Sequence, residues 1–222
     1  YRSGPSGENL VVDAEIEALT NAGHDVHLIS RNTDELARNP SYSTVAGLTV
    51  ATGWGPSPLQ EINRLEPDIV QIHNLFPNWS DRWVQALKTP LVSTFHNFRP
   101  LCAAGTLMRD GLSCELCPSR GSINAVKHRC YQNSALKSIP LALATRSPER
   151  NLLLNLSESV VFKTRRSLET YARYSSGGLV AKARVVPNFV DTGINPSPKG
   201  HELRSGWVFV GRLAPEKGIL EL

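Results

Sequence analysis

Two spacings of apolar residues recur along this chain. Across Glu8–Ala22, Val12, Ile16 and Leu19 return every three or four positions, while Asp13, Glu17 and Thr20 fall opposite. That is the period of an amphipathic helix. Gly23 follows where a C-terminal cap belongs. Ser57-Pro58-Leu59-Gln60 predicts a second helix start, with a capping serine, a proline in the first turn and a glutamine three positions on. That helix runs to about Glu66, where Pro67 ends it. Ser80–Leu87, most of Asn133–Leu156 and Arg165–Tyr174 also read as helical. Short apolar runs at Val26–Ser30, Leu48–Thr52, Ile69–Ile72, Leu91–Phe95, Ser159–Phe162 and Arg184–Val186 predict strands. A long loop from His96 to about Arg129 interrupts the rhythm.

Continuous apolar strands separated by amphipathic helices indicate an α/β fold, with a parallel sheet covered on both faces. The expected organisation is a Rossmann-like domain over residues 1–190 and a Pro-, Gly- and Ser-rich linker over 191–206. The first strand and helix of a second Rossmann-like domain follow over 207–222. Sheets of this kind bind ligands beyond the carboxyl ends of their strands. That directs attention to the loops at 2–8, 73–80, 96–100 and 211–217.

The chain has 222 residues, of which 41% are hydrophobic and 20% charged, a composition that excludes a disordered protein. No apolar run approaches the roughly 18 residues that span a bilayer. Residues 1–100 hold 7 basic against 11 acidic side chains, and residues 101–222 hold 17 against 9. The basic second half suits anionic partners: phosphates, a nucleotide or the anionic surface of a membrane. Nucleic acid is not expected, because no basic run is interleaved with aromatics. No secretory signal is visible, so the expected location is cytoplasmic, with peripheral contact at the inner face of the membrane. The chain starts at Tyr1 and stops in what reads as the second turn of a helix, so it is expected to be an inactive fragment.

Three constellations carry candidate chemistry. Ser3-Gly4-Pro5-Ser6-Gly7-Glu8 enters the first helix, where glycines allow close approach and free amides favour phosphate; a plain tight turn has the same composition. His73 and His96 each follow a strand and bring a titratable ring into one crevice; a buried structural histidine is the alternative. Gly211-Arg212-Leu213-Ala214-Pro215-Glu216-Lys217-Gly218 follows a strand and offers a bidentate guanidinium and an ammonium to phosphate, unless it is an exposed basic turn.

Several segments, in order, resemble family-four glycosyltransferases of the GT-B fold. They are Ser6-Gly7-Glu8, Ala22-Gly23-His24-Asp25-Val26, Asp68-Ile69-Val70-Gln71-Ile72-His73, Ser93-Thr94-Phe95-His96-Asn97, Val185-Val186-Pro187-Asn188-Phe189-Val190-Asp191 and Val210-Gly211-Arg212-Leu213 with Glu216-Lys217-Gly218. The resemblance implies a retaining hexosyl transfer from a nucleotide-diphosphate sugar to an unidentified acceptor: a glycolipid, a polysaccharide or a small metabolite. It implies that Arg212 and Lys217 grip the donor diphosphate without a catalytic metal. Gly4, Gly7 and Gly211 would approach the phosphates, and His96 would contact the transferred sugar. His73, Asn74 and Asn97 would lie on the acceptor side. A role in building cell-envelope polysaccharide fits this class. The family's glutamate pair in the donor domain is not in this chain.

Cys102, Cys114, Cys117 and Cys130, within the cysteine-rich loop at 97–130, are the only cysteines. Three readings stay open: a structural zinc with His128 as an alternative ligand, reduced buried thiols, or disulfides. A subset of the same family resembles this loop, which then reads as a lid over the acceptor cleft. Phe76 and Trp79 either stack on an acceptor or pack beneath the lid. Asn78-Trp79-Ser80 fits the N-glycosylation pattern, which a cytosolic enzyme would not use. Two other functions compete: a zinc-stabilised non-catalytic binding module, and a nucleotide-sugar epimerase of the same fold. The epimerase needs acidic and basic groups together, and no paired carboxylates are expected near His73 or His96. A dinucleotide-dependent oxidoreductase lacks the required glycine spacing.

Overall fold

Ser6 starts the first helix by accepting a hydrogen bond from the Asn9 amide at 3.1 Å, which satisfies one of the free amides of that first turn. The structure is a computed structural model describing residues 6–175, 177–189, 206, 208, 209 and 211. The expected linker and second domain fall almost wholly outside these. Helix α1 spans Gly7–Asn21, and Gly23 beyond its end takes φ 91°, the left-handed conformation that closes a helix with least strain in glycine. Helices α2 (Thr33–Leu36), α3 (Tyr42–Thr52) and α4 (Leu59–Leu65) follow.

Strands β1 (Val70–Ile72) and β2 (Leu91–Phe95) flank a 3-10 turn at Arg82–Ala86. The predicted loop after β2 carries its own structure. It holds a hairpin of β3 (Met108–Arg109) and β4 (Leu112–Ser113), then α5 (Leu116–Arg120) and α6 (Ile123–Lys127). Asp110 and Gly111 both take positive φ at the hairpin tip, as a tight two-residue turn requires. Then come α7 (Ala135–Ala144), α8 (Leu152–Leu156), β5 (Ser159–Phe162), α9 (Arg165–Tyr174), α10 (Leu179–Lys182) and β6 (Ala183–Val185). The main sheet runs β1-β2-β5-β6 with every pair parallel.

Two predicted strands are not strands. Leu48–Thr52 is the end of α3, because helix packing outweighs the β preference of Val50. Gly47 brings α3 against α7, where a Cβ would stand 3.6 Å from Pro140. Val26–Ser30 has no ladder partner among the described residues. It lines a cleft of about 770 Å³ whose other walls include α1, α4 and β1, and a segment with a cleft beside it has no neighbouring strand to bond.

Val160, Phe162 and Tyr171 are fully buried. The Tyr171 ring lies 5.1 Å from Phe162 and 5.2 Å from Phe95, fastening α9 to the sheet. Each such side chain contributes about 1.5–3 kcal/mol by leaving water. Ile62, Ile72, Trp83, Val84 and Leu91 form a second cluster. Ala103, Ala125, Leu141 and Ala142 form a third, with Cys117, Cys130 and Tyr131 packed on it. The cysteine-rich loop is therefore docked on α7.

Candidate active site

Three neighbouring parallel strands end in a row, and the residue after each is polar: His73 after β1, His96 after β2 and Lys163 after β5. His73 Nδ1 lies 3.0 Å from His96 Nε2, with the rings stacked at 5.3 Å. From α1, Glu15 reaches the same point. Its Oε1 accepts from Lys163 Nζ at 2.7 Å and its Oε2 accepts from Gln71 Nε2 at 3.2 Å. His73 Nε2 stands 3.4 Å from that second oxygen. Gln71 also donates to Thr94 Oγ1. In the first turn of α1, Glu8 Oε1 accepts from Asn74 Nδ2 at 2.8 Å.

Glu15 and His73 are each 16% exposed and Lys163 11%, so these charges act in a partly dry setting where they count for more than on a surface. Burial is the largest influence on both histidines. It pushes His96 from 6.5 down to about 4, helped by His73 and Lys163 and opposed by Glu15. His73 is also lowered by burial, with Glu15 opposing. Both rings are therefore neutral at pH 7 and can accept as well as donate. Burial raises the Glu8 carboxyl, against the Asn74 hydrogen bond.

The structure brings His73 and His96 into contact, and Asn74, next after His73, reaches Glu8. Asn97 differs. Its Oδ1 accepts from the Arg99 amide and its carbonyl accepts from the Tyr171 hydroxyl at 2.8 Å, so it shapes the turn after His96. Gly7 has open space where a Cβ would be, and Gly211 is exposed. Gly4, Arg212 and Lys217 lie outside the described residues.

Glu15 and Lys163 were missed: a single carboxylate, Glu15, stands beside His73, where paired carboxylates were not expected. Glu8 and Glu15 are seven residues apart, two helical turns, and so share the face that carries Val12. Lys163 ends its strand just as the two histidines end theirs. The strand-end signal for Lys163 was present in the sequence, whereas for Glu15 the sequence held only the helix face.

Phe76 packs under the Arg99 guanidinium at 4.2 Å and edge-on to Tyr131, and Trp79 lies 5.1 Å from the Arg31 guanidinium. Both are part of the packing. Asn78 is buried, accepting from the Tyr42 hydroxyl and donating to Thr33 Oγ1, so the glycosylation pattern marks a structural junction.

All four cysteines are free thiols. They lie close enough to disfavour one another's ionisation. Among the described residues, however, no three His, Cys, Asp or Glu side chains are gathered as a group that could hold a metal ion. His128 Nδ1 is 2.9 Å from Arg109 Nη1, so its ring already has a partner. The arrangement is a cluster of four unbridged thiols within one loop. No helix among the described residues is long and apolar enough to cross a membrane.

No curated protein and no solved structure matches the chain significantly. One family model does match: Glycosyltransferase Family 4, over residues 5–193. The strand-end cluster and the parallel sheet that presents it therefore belong to a chain that is a member of glycosyltransferase family 4.

Proposed function

We propose that this chain is the acceptor-side lobe of a retaining glycosyltransferase that takes a hexose from a nucleotide-diphosphate sugar. The observation that supports it is the meeting of His73, His96, Glu15 and Lys163 beyond the strand ends, beside the start of α1, in a chain of this family. The C1–O bond to the diphosphate breaks and a bond from an acceptor hydroxyl oxygen forms on the same face. The departing phosphate takes the acceptor proton.

Glu15 is not the nucleophile in this reading, because both its oxygens already accept hydrogen bonds. Arg212 and Lys217 hold the diphosphate and stabilise its developing charge, an effect that is commonly the largest catalytic contribution. Family membership supports this reading over the epimerase.

Calorimetric titration of nucleoside diphosphates into protein with a complete donor lobe tests this. One of them is expected to bind, and Arg212→Ala is expected to weaken it about tenfold or more. No affinity for any nucleoside diphosphate would overturn the reading.

A further inference from the structure

The line Lys163–Glu15–His73–His96 has a definite polarity, and that polarity reaches the cleft. Lys163 Nζ at 2.7 Å fixes one Glu15 oxygen, and Gln71, itself tied to Thr94, fixes the other. The second oxygen faces His73 Nε2 at 3.4 Å. A nitrogen lone pair beside a carboxylate is repelled and an N–H is attracted, so the His73 proton sits on Nε2. In a neutral ring that leaves Nδ1 as an acceptor. His96 Nε2 is 3.0 Å from that Nδ1, and one hydrogen must lie between them. It therefore belongs to His96 Nε2. His96 is neutral as well, which leaves a lone pair on its own Nδ1. That atom makes no hydrogen bond among the described residues.

We propose that Glu15 acts through His73 as a positioning residue, fixing His96 in the tautomer whose Nδ1 accepts a hydrogen bond from a hydroxyl of the transferred sugar. The substrate half of this statement rests on the glycosyltransferase reading above. A lone pair accepts from a hydroxyl and repels a phosphate oxygen, so His96 selects the sugar end of the donor over its diphosphate. The charged groups facing the relay are Glu15 and Glu8 from α1 and Lys163 from the end of β5. Asn74 engages Glu8, which leaves the carboxylate of Glu15 as the one beside His73.

Long-range proton–nitrogen spectra of protein labelled with ¹⁵N-histidine, taken at pH 7 without substrate, read the tautomers directly. The His96 signals are identified by their loss in His96→Asn. In the unaltered protein His96 is expected to carry its proton on Nε2, and finding it on Nδ1 overturns the proposal.

The double exchange Glu15→Lys with Lys163→Glu keeps the ion pair but turns an ammonium toward His73. His73 Nε2 then accepts, its Nδ1 donates, and His96 is expected to switch to the Nδ1–H form. A folded exchange variant that keeps the Nε2–H form overturns the relay. Should the exchange variant not fold, His73→Phe keeps the stacked ring and removes the acceptor. It is then expected to give a mixture of both His96 tautomers, and an unchanged single form overturns the proposal. Because no substrate is present, a protein that transfers no sugar leaves the relay standing. Equally, a wrong tautomer leaves the glycosyltransferase reading standing.

Discussion

His96 gives up part of its affinity for a proton when the chain folds, and this ties stability to pH. Its folded value of about 4 lies below the ordinary 6.5, so the unfolded chain binds the proton more readily. This contribution to stability is complete above about pH 6.5 and is lost as pH falls toward 4. Denaturant midpoints at pH 7.5 and 5 are expected to differ less in His96→Asn than in the unaltered protein. An equal drop in both would remove His96 as a source of the pH dependence.

Cys117 makes an opposite case, since burial and its three fellow thiols push it up to about 11. The thiolate is the reactive form. At pH 8 Cys117 is therefore expected to alkylate about a hundredfold more slowly than an ordinary cysteine of pKa near 9. Mass spectrometry after timed iodoacetamide treatment checks this. Protection that a chelator abolished would point to a bound metal instead.

At the level of elements, α9 governs the turn after β2. Tyr171 is fully buried, and its hydroxyl is the hydrogen-bond donor to the carbonyl of Asn97, next to His96. Tyr171→Phe is expected to cost about 1 kcal/mol, because the ring still packs while the Asn97 carbonyl loses its donor. The denaturation midpoint measures the loss, and a change in the His96 tautomer spectrum would show that the turn has moved.

Elements with a strong local signature were legible in the sequence: α1 from its period, and β2, β5 and α9 at their observed limits. The failures share a cause. Leu48–Thr52 is apolar enough for either state, and only its contact with α7 decides for helix. Val26–Ser30 has a strand's composition, but strands exist in pairs and its neighbourhood is a cleft. The histidines were legible because the rule of strand ends is local. Glu15 was hidden because its role depends on which way α1 lies across the sheet, a tertiary matter that periodicity gives only as a face.

At the scale of the whole molecule, α1 is held differently from the other long helices, α3, α7 and α9, each of which buries at least one side chain. It has no fully buried residue, and Leu10 is 69% exposed. Its named contacts with the sheet run through Glu8 and Glu15, to Asn74, Gln71, His73 and Lys163. Segments with little buried apolar area open most easily. Amides of α1 are expected to exchange hydrogen about tenfold or more faster than those of β2 and β5, and Lys163→Met is expected to widen the gap. Uniform exchange across these elements would show that α1 is fastened by other means.

A helix with no buried side chain thus carries one end of the relay that sets His96. Whenever α1 lifts, His73 loses its carboxylate and the orientation of the last proton is released. Any molecule that settles between His96 and the first turn of this helix holds both down together. Docking of a substrate would then register as slowed exchange along all of α1, well beyond the atoms it touches.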